Sequence, residues 1–187
     1  MSHLDEALKN RFVIDGEDIV FKELLETGDR GGKKALLYSI RDGEEEVALK
    51  LISYGADVHQ CDGYGNSALH YCAFWKKVPM ITVAKILVEK GAGVDVLNTI
   101  KSSPLHLCCE NDNVDMVRFL IDSGASLDIQ DMCGCTPLHK ACIAKSKDCI
   151  QLLLLANADT AIVNEKHKTP SQFISKDNDD LLMLFKN

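Results

Sequence analysis

Short apolar runs at helical spacing alternate with polar, turn-rich stretches along this chain. The unit from Asp131 to Asn164 displays the pattern most fully. Asp131-Met-Cys-Gly134 has turn chemistry, because an aspartate can bond to backbone two residues on and glycine tolerates a positive φ. Thr136 is placed to cap a helix, and Pro137 suits its first turn, where no backbone donor is missed. Leu138, Ala141 and Cys142 then fall at i, i+3 and i+4, one apolar face of a short helix. Lys145-Ser-Lys147 breaks it, and Asp148 begins a second predicted helix, Cys149 to Leu155. Asn157 stands where a helix stops in the left-handed conformation, the place held by Gly55, Gly91 and Gly124 in other units. A polar segment, Asp159 to Val163, leads into the next turn.

That turn returns at Asp29, Asp62, Asn98, Asp131 and Asn164, at intervals of 33, 36, 33 and 33 residues. Self-similarity at such a period predicts a stacked solenoid, in which neither helix of a unit is stable without neighbours to cover its apolar face. The second unit carries three extra residues within Trp75-Lys-Lys-Val-Pro79, between its two helices. Pro79 is therefore expected to open the second helix or to stand just before it, beyond a longer surface loop.

Ser67-Ala-Leu-His70, Ser103-Pro-Leu-His106 and Thr136-Pro-Leu-His139 resemble the Thr-Pro-Leu-His signature of the ankyrin repeat, and Gly55-Ala-Asp57, Gly124-Ala-Ser126 and Asn157-Ala-Asp159 resemble its Gly-Ala-Asp ending. The resemblance runs from Asp29 to about Phe173, or 145 of 187 residues. It implies an all-α ankyrin-repeat solenoid of helix-turn-helix repeats with β-turn fingers, about five repeats plus terminal capping helices. On that reading 1–187 is a single domain. Residues 1–28 are an N-terminal capping helix pair, 29–61, 62–97, 98–130 and 131–163 are repeats, and 164–187 is a C-terminal capping repeat. Three copies depart from the pattern. Lys34-Ala-Leu-Leu37 lacks both capping hydroxyl and histidine; Lys101 replaces the usual turn glycine; and Thr169-Pro-Ser-Gln172 decays into Asp179-Asp180-Leu-Leu-Met-Leu-Phe185, expected as a capping helix.

Charge narrows the partner class. Twenty-one Lys and Arg against 28 Asp and Glu give −7, and no basic tract is longer than two lysines. Such a chain is poorly suited to wrapping nucleic acid. No apolar run approaches a membrane span, and MSHLDEALKNRF lacks an apolar signal core, so the eight cysteines are read as reduced thiols in the cytoplasm or nucleus.

Histidine and cysteine recur together, which raises metal or Cys–His chemistry. His70 and Cys72, like His106 and Cys108, are two apart and point in different directions; only His139 and Cys142, three apart, could meet. Ligand spacing for zinc is missing. No catalytic residue, metal, cofactor or small-molecule substrate is expected. By resemblance, Cys72, Cys108, Cys109 and Cys142 fill slots usually held by alanine, and the histidines tie each helix start to neighbouring turn backbone. Cys133 and Cys135, on a turn, are expected at the surface.

The resemblance implies a partner that is another protein, bound by a chain that is monomeric when alone and does not insert into membranes. In ankyrin folds the partner-facing residues tend to be the turn tips and the exposed positions of the first helix. These map onto Arg30, Lys33, Tyr38 and Arg41, then Tyr64, Asn66, Tyr71, Phe74 and Trp75. They continue through Ile100, Ser102, Leu107 and Glu110, then Met132, Cys135, Lys140 and Ile143. The aromatic cluster of copy two is the expected anchor, because Tyr and Trp offer large area with a polar handle. The expected role is a scaffold or adaptor. An inhibitor that occludes an enzyme or transcription factor is the alternative, with a Cys/His enzyme third.

Overall fold

A computed structural model describes residues 34–74, 80–175 and 177–186. The helix pair expected within 1–28, the tip residues Arg30 and Lys33, and the 75–79 loop with Trp75 and Pro79 lie outside the described residues. The described elements are helices in antiparallel-type pairs: α1 (Ala35–Arg41) with α2 (Glu45–Ser53), α3 (Ala68–Phe74) with α4 (Ile81–Glu89), α5 (Pro104–Glu110) with α6 (Val114–Asp122), and α7 (Pro137–Ala144) with α8 (Lys147–Leu155). A 3-10 turn (Pro170–Phe173), α9 (Asp179–Met183) and a last 3-10 turn (Leu184–Lys186) follow. Among the described residues there is no strand.

The pairs stack in sequence order. Each first helix packs on the next, α1 on α3, α3 on α5, α5 on α7 and α7 on Pro170–Phe173; the second helices α2, α4, α6 and α8 form a parallel row. Leu36, Leu69, Leu105 and Leu138 hold one slot in successive layers, each at most 3% exposed. Two positions of α3, α5 and α7 are small and buried: Cys72 and Ala73, Cys108 and Cys109, Ala141 and Cys142; α1 has Ser39 and the larger Ile40 there. A thiol here packs as a small hydrophobe and lets neighbouring helices approach closely. Burial pushes these thiols up, Cys142 to about 12, so they stay neutral. Leu184–Lys186 packs against α8 and closes the far end.

Between layers the turns form fingers, and one bond pattern builds each of the four among the described residues. In finger two (62–66) the Asp62 carboxylate accepts from the amides of Tyr64 and Asn66. Asn98, Asp131 and Asn164 make the same pair of bonds in fingers three (98–102), four (131–135) and five (164–168). Neighbouring fingers are joined in step: the Thr99 amide donates to the Tyr64 carbonyl at 2.9 Å, Met132 to Ile100 at 3.0 Å, and Glu165 to Cys133 at 3.0 Å. Lys101 occupies the glycine slot at φ +56° and His167 does so at +54°, so finger three keeps its turn despite the missing glycine. The side-chain oxygen of Asn98 holds two amides and offsets the modest cost of a left-handed non-glycine residue.

In finger four, glycine is obligatory for a second reason. Gly134 has φ +71°, and a Cβ there would lie 2.8 Å from the backbone nitrogen of Glu165. Gly55, at φ +89°, has nothing within 4 Å of such a Cβ. Gly134→Ala is therefore expected to destabilise by about 1–2 kcal/mol more than Gly55→Ala, since both meet the φ penalty but only one displaces a neighbouring finger. Urea midpoints of the two variants measure the difference; equal midpoints refute it.

The second helix of the fourth unit begins at Lys147, one residue earlier than the Asp148 start read from sequence, and Lys145 turns the chain at φ +59°. Asn157 ends that helix in the left-handed conformation at φ +65°.

Candidate functional surface

Three side chains of the helix starts have the polarity of a catalytic dyad. Ser67, Ser103 and Thr136 place a hydroxyl 2.9, 2.8 and 2.9 Å from Nδ1 of His70, His106 and His139. In each the backbone amide of the capping residue also donates to Nδ1, at 3.1, 3.2 and 3.1 Å. Nδ1 is thus an acceptor, and the ring proton sits on Nε2. That nitrogen donates to the carbonyl of the next finger's last residue, Ser102, Cys135 or Lys168, each at 2.9 Å. Desolvation by burial, larger than the lift from that carbonyl, holds each histidine below its ordinary range and therefore neutral.

All three rings are at 0% exposure, so no substrate reaches the hydroxyls. The arrangement cross-links a helix start to the adjacent layer. His139 and Cys142, the one pair that spacing allowed to meet, face different partners: His139 bonds Thr136 and Lys168, and its ring lies edge-on to Phe173. Among the described residues, no group of three His, Cys, Asp or Glu could hold a metal ion.

The exposed edge holds the residues that the sequence marks as partner-facing. The residues expected to face a partner divide into three sets. Tyr64, Ile100 and Met132, at 72%, 52% and 54% exposure, stand on the finger tips, and the exposed Phe74, Ile143, Arg41 and Glu110 line the first helices beside them. Arg41 pairs with Asp42 at 2.8 Å and lies 4.7 Å over the Tyr38 ring. These are available for contact.

A second set is half-buried and already engaged. The Tyr71 hydroxyl donates to Asp62 at 2.6 Å, and in the equivalent slot Lys140 reaches Asp131 at 3.0 Å, with Glu110 at 3.9 Å. Burial works against charge on both aspartates, but these bonds, with those from the finger amides, hold their carboxyls below the usual range. Burial and the Asp62 bond together push the Tyr71 phenol up to about 12. Asn66 accepts from the Asn98 side chain at 3.0 Å. Tyr71, Lys140 and Asn66 therefore brace the fingers from within, and their role in contact is secondary.

The third set corrects the reading from sequence. Leu107 shares the slot of Tyr71 and Lys140 but is buried at 8% exposure, because an aliphatic chain in mid-stack folds onto the core where its longer counterparts reach their finger aspartates. Ser102 and Cys135 are also buried. Their carbonyls accept His70 and His106 from the preceding layer, which draws the side chains under the stack. Of the two turn cysteines only Cys133 is exposed. Trp75 lies outside the described residues.

The sequence reading also missed a row. Leu97, Gln130 and Val163, each immediately before a finger aspartate or asparagine, are exposed. Gln130 and Val163 join Met132, Lys101 and Glu165 around an open depression of about 530 Å³ between fingers three, four and five.

Comparison with known proteins follows the same architecture. A family model described as ankyrin repeats (3 copies) matches residues 11–98 and 69–166. An ankyrin repeat protein of fowlpox virus (strain NVSL) is 36% identical over 70 residues, 37% of this chain and 15% of its own. A Caenorhabditis elegans protein named intracellular phospholipase A2 is 32% identical over 117 residues, 59% of this chain and 10% of its own. A Danio rerio protein named as a palmitoyltransferase is 32% identical over 75 residues, 40% of this chain and 11% of its own. The chain thus spans a small part of the length of each relative. No helix among the described residues is long and apolar enough to cross a membrane.

Proposed function

The chain belongs to the ankyrin repeat family, whose repeats generally mediate protein–protein contact without catalysis, and we propose from that premise that it is a non-enzymatic binding module acting as scaffold or adaptor. Its partner is a protein, met in the cytoplasm or nucleus, and the contact runs along the finger tips and the exposed side of the first helices. One observation carries this reading. Tyr64, Ile100 and Met132 are large apolar side chains, each more than half exposed, on fingers that hydrogen bonds lock in step. Aligned apolar side chains held on rigid backbone lose little entropy on binding, and contiguous exposed apolar surface marks contact sites.

The test is quantitative affinity capture from cell extract, comparing native protein with Tyr64→Ser/Met132→Ser. Both side chains are exposed, and Tyr64 and Met132 enter the finger bonds through backbone atoms, so the circular dichroism spectrum is expected to be unchanged. Retention of the proteins held by the native chain is expected to drop at least about tenfold, the effect of losing one interface anchor. Undiminished retention by a folded variant places the contact elsewhere.

A further inference from the structure

The finger row carries a charge pattern that deepens this reading. Resting on the proposed contact surface, we infer that the partner contributes a linear segment, apolar over fingers two to four and acidic at the end lying over finger five. The apolar part faces Tyr64, Ile100 and Met132. Toward the C-terminal end the exposed side chains turn basic: Lys101 on finger three, then Lys166 and Lys168 on finger five. Within fingers three to five the one exposed carboxylate is Glu165, since Asp131 is buried and bound to Lys140. Lys168 is held 5.5 Å over the Phe173 ring, which fixes its direction.

This positive stretch stands out because the chain as a whole carries −7. A long polyanion such as nucleic acid would meet that background along most of its length and be repelled. A short acidic segment confined to the fingers meets three exposed lysines against one exposed carboxylate, Glu165, and complementarity of this kind selects partners and speeds encounter. The depression between fingers three, four and five supports a linear occupant: Met132 and Val163 offer an apolar wall, a seat for an apolar side chain, and Lys101 and Glu165 both line it, so the cations that would meet the acidic end are Lys166 and Lys168 beyond it.

The probe is a random 12-residue peptide display library, selected on the native full chain, with selected peptides then titrated by fluorescence anisotropy. Peptides pairing an apolar stretch with several Asp or Glu are expected. Their affinity is expected to weaken about tenfold or more in Lys166→Glu/Lys168→Glu, and also on raising salt, as exposed charge pairs require. Selected peptides without acidic excess, or equal affinity for the charge-reversed variant, overturn the inference. If charge reversal is harmless while Ile100→Ser/Met132→Ser abolishes binding, the apolar contact surface survives and the acidic partner falls. If neither variant matters, both fall. No enrichment at all rules out a linear segment, and a labelled 20-nucleotide single strand bound as tightly as the peptides replaces it with nucleic acid.

Discussion

Leu105→Ala is expected to remove about 2–5 kcal/mol from the stability of this chain, a large fraction of what a small domain possesses. Leu105 is at 0% exposure and sits in a middle layer, with Leu69 and Leu138 in the same slot of the layers on either side. Truncation removes apolar burial and also leaves a cavity. The first helices cannot close it, because each is fixed to the next layer through a histidine–carbonyl bond. In a stack, the loss also spreads: a middle layer supports two interfaces, so weakening it uncouples the layers before from those after. The control is Leu155→Ala, at the exposed end of α8 with 77% exposure, which should change stability by no more than about 0.5 kcal/mol. Equilibrium urea unfolding followed by circular dichroism measures both. A loss below about 1 kcal/mol for Leu105→Ala would show that the leucine slot is not the seam that joins the layers.

Why the leucine slot could be read from sequence, and the contact surface only partly, has a physical basis. Thr136, Pro137, Leu138 and His139 each act within one turn of helix, as cap, first-turn residue, core contact and cap partner, so four adjacent letters state the local structure. The position of Asn157 was legible for the same reason: a left-handed stop needs a residue that tolerates it, and few do. Exposure on the first helix is different, since it depends on a contact nine residues back along the chain. Tyr71, Leu107 and Lys140 share a slot, yet one bonds Asp62, one folds into the core and one bonds Asp131. Tyr71 and Lys140 each donate to the finger aspartate of their own repeat, whereas copy three has Asn98 there and a leucine that has nothing to donate. Lys101 errs in the other direction. Its side chain suggested a damaged turn, but the turn is held by the oxygen of Asn98, three residues before it. Leu97, Gln130 and Val163 precede the turns in segments that carry neither helical nor strand period, so no local pattern marks their exposure.

Mild acid is expected to destabilise the chain steeply between pH 6.5 and the lower pH at which its buried histidines finally protonate. His70, His106 and His139 are neutral in the fold, with Nδ1 facing two donors and no solvent contact. Their folded pKa values lie below the ordinary 6.5, chiefly through burial. The sign follows from proton counting. Above pH 6.5 neither folded nor unfolded chain protonates these rings, so the full stability is present. Below it the unfolded chain takes up protons that the folded chain refuses, and stability falls as pH falls until the folded values are passed. Each fully suppressed histidine contributes a slope that rises toward about 1.4 kcal/mol per pH unit as the unfolded ring protonates, so His70 and His106 together account for up to about 2 kcal/mol between pH 6.5 and 5.5. His139, packed against the terminal Pro170–Phe173 turn, should contribute less. Asp62 and Asp131 add a loss of the same direction at lower pH, because their depressed carboxyl values favour the folded state only while they remain charged. Urea unfolding at pH 7.5, 6.5 and 5.5 reads the slope. His106→Gln should lower stability at pH 7.5 and flatten the acid loss by about a third to a half, since the amide can still accept at the cap but has no proton to gain. An unchanged slope in that variant would mean that the histidines already carry their charge within the stack, and that their bonds to the next finger are not those of a neutral ring.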